Sequence, residues 1–259
     1  MRILTWNVNS VRLRIELIAE LARTVRTDVL CLQEIKVTND LFPADALAEI
    51  GFVHQAVRGM KSYNGVAILS KLKLDKIDSR SWCGRDDSRH IQAEIDGITV
   101  HNFYVPAGGD IPDPEENDKF AHKLGFLDEA TEWFGGQGDH PALLLGDLNI
   151  APLETDVWSH KQLLDVVSHT PIEVEKLAAW QNSLDWVDAV RHFIPPEQRL
   201  YSWWSYRAND WAASDRGRRL DHVWATPSLA PRLTGAMVLR EVRGWNPASD
   251  HVPVMVDLV

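Results

Sequence analysis

A chain of 259 residues, 45% hydrophobic and 25% charged, can bury a large core and is read as one domain spanning residues 1–259. It has no apolar stretch of bilayer length and no secretory-signal pattern at its start, and its two cysteines, Cys31 and Cys83, lie outside any CxxC or His-rich spacing; a membrane span and a zinc site are excluded, and a soluble protein of the reducing cytoplasm is expected. The net charge of -10 argues at face value against a nucleic-acid partner, but the charge is uneven: within 199–219, Arg199, Arg207, Arg216, Arg218 and Arg219 stand against Asp210 and Asp215, so local basicity outweighs the sum.

The first predicted strand covers residues 2–7. A helix follows over 11–26, where Leu13, Leu17, Ile18, Leu21 and Val25 make one apolar stripe behind a Ser10 cap. Strands are predicted at 29–33, 53–57, 65–70, 91–95 and 98–104, with a short helix at 44–50. A Gly- and Pro-rich loop (106–114) leads to a helix at 115–134, a second such loop to a strand at 142–146, and then come helices at 172–182 and 186–193 and strands at 219–225 and 252–258. Most strands are apolar on both faces, which suits middle layers covered on both sides and makes the architecture α/β. ILTWN and ALLLGDLN hold similar places in the two halves, so two related sheets are expected.

Short polar signatures interrupt these runs: Asn7 after ILTW, Glu34 after VLCLQ, Asp147 and Asn149 after ALLLG, and Asp250-His251 before VPVMV. Each alone has an ordinary reading, as an Asx turn, an exposed glutamate, a turn asparagine or a solvated histidine. Together they put carboxylates, amides and an imidazole where a core sheet surfaces, a common place for phosphate and metal sites. Alternate residues of an extended segment face the same way, so Asp147 and Asn149 can address one ligand. Glu34 ends a run too apolar for an unpaired buried charge, and is therefore paired, exposed or bound to a cation. His251 can move protons near neutral pH if a carboxylate orients it.

Taken with TWNVNSVR, LCLQEIKV, NGVAILSK, HNFYVPAGG, LLLGDLNIAP, YSWWSYR, RGRRLDHVWAT and SDHVPV, the signatures resemble the exonuclease III-like abasic-site endonucleases of the endonuclease/exonuclease/phosphatase superfamily along essentially the whole chain. The resemblance implies a four-layer α/β sandwich of two packed mixed β-sheets flanked by helices. It implies a metal centre drawn from Asn7, Glu34, Asp250, His251, Asp147 and Asn149, with Glu34 the principal ligand, and catalysis by Tyr104, Asp147, Asn149, Asp221 and His251, where Asp221 orients His251. The ion implied is magnesium, with manganese a possible substitute.

The resemblance implies hydrolysis of the phosphodiester 5′ to abasic sites, with 3′-5′ exonuclease and 3′-end-cleaning activity, on double-stranded DNA containing abasic sites or 3′ ends, by a monomer without membrane contact. Lys36, Arg89, Arg207 and the 216–219 arginines would meet phosphates, Trp203 and Leu220 would line a pocket for a sugar without its base, and Trp204 and Trp211 are further stacking candidates. Two residues depart from the pattern. Ala107 stands where many relatives carry an amide, and Arg218 replaces a bulky apolar side chain, opening the pocket or adding a backbone contact. Competing readings are an inositol or lipid phosphoesterase of the same superfamily, and a non-catalytic DNA-binding module.

Overall fold

Strands that are apolar on both faces demand cover on both faces, and the chain meets that demand with two six-stranded mixed sheets packed against each other and helices outside them. The computed structural model describes residues 1–208 and 210–259. In chain order it runs β1 (Arg2–Asn7), α1 (Ile15–Val25), β2 (Val29–Gln33), α2 (Ala44–Glu49), β3 (His54–Arg58), β4 (Val66–Ser70), β5 (Asp75–Asp78), β6 (His90–Ile95), β7 (Ile98–Tyr104), α3 (Asp118–Gly135) and β8 (Ala142–Asp147). There follow α4 (His160–Leu163), α5 (Pro171–Asn182), β9 (Val187–Asp188), β10 (Trp203–Trp204), α6 (Trp211–Ser214), β11 (Gly217–Arg218), β12 (Asp221–Ala225), β13 (Leu233–Val238) and β14 (Val254–Leu258).

The sheet orders are β13-β14-β1-β2-β4-β3 and β5-β6-β7-β8-β12-β9, with β10 and β11 as a separate ribbon. Read from opposite ends the two sheets match: β1 lies between antiparallel β14 and parallel β2, as β8 lies between antiparallel β12 and parallel β7. The recurrence of ILTWN and ALLLGDLN is thus a correspondence of position. Alternation along each strand assigns the layers. Ile3, Val29, Cys31, Leu143, Leu145 and Val223 fill the space between the sheets. Leu4, Trp6, Leu30 and Leu32 pack outward with Ile18 and Leu21 of α1, and Phe103, Leu144 and Trp224 pack outward with Phe126, Phe134 and Trp180 of α3 and α5.

Three expectations are corrected. The first helix begins at Ile15 without a Ser10 cap, because Val8, Ser10 and Val11 donate instead to Gln33, Glu34 and Ile35 and prolong the β1–β2 pairing; Leu13 is left 56% exposed. Residues 186–193 do not form a helix. Val187 and Asp188 pair with Ala225 and Trp224, and the Asp188 side chain accepts from the Val190 and Arg191 amides, closing an Asx turn. The strand expected at 219–225 starts at Asp221, since Gly217 and Arg218 belong to the ribbon with Trp204 and Trp203. The helix at α5, by contrast, has the N-terminus its sequence specifies, Thr170 and Glu173 forming a capping box ahead of Pro171.

Three buried histidines make the fold acid-sensitive. Burial pushes the imidazoles down from an ordinary 6.5, to about 3 for His101 and about 4 for His222, and well down for His90, with neighbouring positive charge adding to each. Below 6.5 the unfolded chain therefore binds protons that the fold refuses, so stability falls as pH drops, by up to ~1.4 kcal/mol per pH unit for each residue. The urea midpoint is expected to fall between pH 7 and pH 5; an unchanged midpoint would contradict the neutral, buried state of these rings.

Candidate active site

The polar signatures leave the sandwich along one edge. Asn7 and Tyr104 end β1 and β7, Glu34 follows β2, Asp147 ends β8, Asp221 opens β12, and Asp250-His251 precede β14. Register puts Tyr104, Asp147 and Asp221 side by side on three adjacent strands. The backbone then turns sharply: Glu34, Lys36 and Asn149 all adopt left-handed φ values, 52°, 55° and 55°. Gly146 is required just before Asp147, because at its φ of 138° a Cβ would stand 1.9 Å from the Phe103 carbonyl oxygen.

Hydrogen bonds fasten these groups to one another. The Asn7 side-chain nitrogen donates to Glu34 Oε1 (2.8 Å) and to Asp147 Oδ2 (2.9 Å), so one amide joins the two sheets' carboxylates. The Asn7 oxygen accepts from the Asn9 amide (3.0 Å), and Asn7 thus faces the site as a donor. Tyr104 donates its hydroxyl proton to Glu34 Oε1 (2.9 Å), while Lys36 pairs with Glu34 Oε2 (2.7 Å). Asp147 Oδ1 accepts from the Asn149 amide (3.0 Å), closing the Asx turn of the ordinary reading. His251 Nδ1 meets Asp221 Oδ2 at 2.8 Å, and its Nε2 lies 3.6 Å from Asp147 Oδ2.

Electrostatics divide the roles. Burial pushes the Asp147 carboxyl up, and the cationic pull of His251 does not cancel it. Burial alone would lower His251, but the Asp221 and Asp147 carboxylates outweigh it and hold the imidazole protonated above its ordinary range. Glu34 is desolvated as well, yet the Asn7 amide and Lys36 keep it ionised below the usual carboxylate range. Tyr104 is driven well up by burial and by the Glu34 and Asp147 charges, and remains a neutral phenol.

Asp147, Asp221 and His251 each offer an atom within 4.8 Å of the others, a cluster able to hold a metal ion. Glu34 joins that cluster through the Asn7 amide. A cleft of about 600 Å³ opens above it, lined by Glu34, Tyr104, Asn149, Asp250 and His251, with Trp203, Leu220, Arg207, Arg216 and Arg218 on its walls. Ala107 also lines it and lends its carbonyl to the Lys123 ammonium. Arg218 does not open the cleft: it donates to the Val167 carbonyl and the Ser168 hydroxyl and lies over the Trp203 ring.

Other expected contacts sit elsewhere. Arg219 is 1% exposed and neutralised by Asp156 and Asp188, so it belongs to the core and is not a phosphate contact. Trp204 is buried, and Trp211 meets it edge-to-face under Arg240. Arg89 is paired with Asp87 and packs over Tyr104. Two supporting residues carried no sequence signal. Ser202 donates to Asp221 Oδ2 (2.7 Å) and accepts from the Leu220 and Asp221 amides, fixing the carboxylate that orients His251. Asn9 links Lys36, Asn7 and Asp250.

Comparison with known proteins bears on this edge of the sandwich. The profile of the Endonuclease/Exonuclease/phosphatase family matches residues 4–251. Exodeoxyribonuclease III of Haemophilus influenzae is 27% identical over 271 residues, covering 99% of each chain. Among solved structures, an AP endonuclease from Archaeoglobus fulgidus superposes with a TM-score of 0.91 at 32% identity, over 100% of this chain and 99% of that one. The 3′ phosphatase NExo from Neisseria, bound to product DNA hairpin, does so with a TM-score of 0.89 at 29% identity, again over 100% and 99%.

Proposed function

Because the chain belongs to the endonuclease/exonuclease/phosphatase family, we propose that its cleft hydrolyses the DNA phosphodiester 5′ to abasic sites and clears blocked 3′ ends, leaving 3′-hydroxyl termini. The chain is an exonuclease III-like DNA repair nuclease. The observation that carries the finer reading is the Asp221–His251–Asp147 chain of charge at the floor of a cleft walled by arginines.

Asp147, raised toward neutrality, is the group that takes a proton from the attacking water, and Asn149 beside it positions the phosphate. His251, kept cationic by Asp221, grips a phosphate oxygen through Nε2. Tyr104, a neutral phenol, supports the phosphate or the departing oxygen. Arg207 and Arg218 on the cleft walls, with Lys36 beside Glu34, meet the flanking backbone, and Trp203 with Leu220 accepts the sugar.

The family is metal-dependent; Asp147 clusters with Asp221 and His251, and Glu34 joins through the Asn7 amide, which brings together the carboxylate oxygens that a hard divalent cation prefers. Magnesium is our assignment, with manganese as substitute and Glu34, helped by Asp147, Asn149 and Asp250, as the holding set; Asn7, turned to the site as a donor, and the cationic His251 orient these groups and are not ligands. When bound, the ion supplies positive charge against that building on the phosphate. All these groups come from one chain, so a monomer suffices; we place it in the cytoplasm as a single domain. No described helix is long and apolar enough to cross a membrane.

The test is a duplex carrying one abasic analogue. Incision 5′ to the lesion is expected in magnesium, abolished by EDTA and restored by added magnesium. An intact duplex after incubation with magnesium and enzyme would refute the reading.

A further inference from the structure

One wall of the cleft carries a positive charge that the protein itself leaves uncompensated. Arg218 Nη1 donates to the Val167 carbonyl (3.0 Å) and the Ser168 hydroxyl (2.7 Å), and its Nε is buried without a partner. Among the described residues no carboxylate lies within ion-pair distance of it, and Glu173, whose charge reaches it, is already paired with Lys123. A desolvated guanidinium without a counter-charge is costly, and its fork matches the oxygens of a carboxylate or phosphate.

Its place in the sheet says where such an anion would sit. Arg218 pairs with Trp203 across the β10–β11 ribbon, and Trp203 pairs in turn with His251 through an isolated bridge. Directly paired residues project from the same face, so His251, Trp203 and Arg218 stand in a row along the cleft. The indole between them is pinned by its Nε1 to Asp250 Oδ2 at 2.9 Å, and the guanidinium lies 5.4 Å from its centre. Two strand spacings separate the ends of the row, about 10 Å of backbone, which the arginine's own length shortens.

Resting on the nuclease reading above, we propose that this row is a two-anion site. The scissile phosphate sits at His251, and Arg218 holds a second negative charge, a carboxylate or a phosphate, joined to that phosphate by a short linker over Trp203. In the reaction, a water oxygen bonds to phosphorus and yields its proton to the base. The P–O3′ bond breaks, the 3′ oxygen gains a proton, and the departing unit leaves with both anions. Arg207 and Arg216 also line the cleft without a carboxylate partner among the described residues, but Arg216 lies over Trp158, off this row. They attract DNA without reading the departing unit.

The experiment compares matched substrates. One pair of duplexes ends in a 3′-phosphoglycolate or its neutral 2-hydroxyethyl phosphodiester. The other ends in an abasic residue with or without its own 3′-phosphate. The wild type is expected to favour the charged member in kcat/KM by about tenfold or more. Arg218→Leu and Arg218→Gln should lose that preference, the latter while keeping a polar group for Val167 and Ser168, and Arg218→Lys should keep part of it. A preference confined to the glycolate pair assigns the second anion as carboxylate, and one confined to the abasic pair as phosphate; either supports the site. Equal turnover within both pairs by the wild type, or a preference surviving in Arg218→Leu, overturns the proposal and leaves the nuclease reading standing. Failure of the wild type to cut all four overturns the nuclease reading itself.

Discussion

Asp147→Ala and His251→Ala are each expected to lower turnover of an abasic-site duplex by ~10²–10⁴-fold, the range for removing a positioned acid or base. Both side chains are buried, His251 lining the cleft and Asp147 packed behind it, and each supports the other's charge state across 3.6 Å. Without Asp147 the water loses its proton acceptor, and the Asn7 nitrogen loses one of its two carboxylates. Without His251 the Asp221 carboxylate keeps Ser202 as a donor to Oδ2, but its Oδ1 already lacks a partner in the intact protein. The two losses should not multiply, because the residues act as one unit. Single-turnover rates, read beside far-UV circular dichroism to confirm folding, make the check. Rates within tenfold of wild type for both variants would remove Asp147 and His251 from the chemistry.

Part of this site is legible in the strands themselves, while Tyr104 and Asp221 enter only through the family resemblance. A run such as VLCLQ or ALLLG is apolar on both faces, so the polar residue that ends it marks where the sheet meets water, and four strands that end and two that begin at one edge converge on one cleft. What stays hidden is the partner each polar group takes across the fold. Arg219 sits in a basic cluster and looks like its neighbours, but Asp156, 63 residues away, draws it into the core. Ser202 lies inside an aromatic segment, and only the return of Asp221 beside it makes it an anchor. Residues 186–193 have helical periodicity, yet edge pairing with β12 and the Asp188 turn satisfy the same backbone groups and win.

Breaking the buried Lys123–Glu173 pair is expected to destabilise the protein by ~3–5 kcal/mol, the cost of stranding one charge without its partner. Both side chains are fully buried, on α3 and α5, and their 2.5 Å contact ties those helices together beneath the cleft. The pair also shapes both lips of the site. Lys123 donates to the carbonyls of Asn149 (2.8 Å) and Ala107 (3.3 Å), while Glu173 accepts from the Ser168 amide (2.9 Å), whose side chain in turn receives Arg218. Glu173→Leu leaves the Lys123 ammonium, already pushed down by burial, with carbonyls alone, and Lys123→Met leaves the carboxylate with amides and a hydroxyl. The double variant Lys123→Met with Glu173→Leu should be more stable than the sum of the single losses, because no charge remains stranded. Activity should not return with that stability, since the tether on the Asn149 carbonyl is gone in the double variant too. Urea unfolding of the three variants, paired with kcat/KM on an abasic duplex, separates the two effects; full activity in a refolded double variant would mean that the pair stabilises the fold without positioning the site.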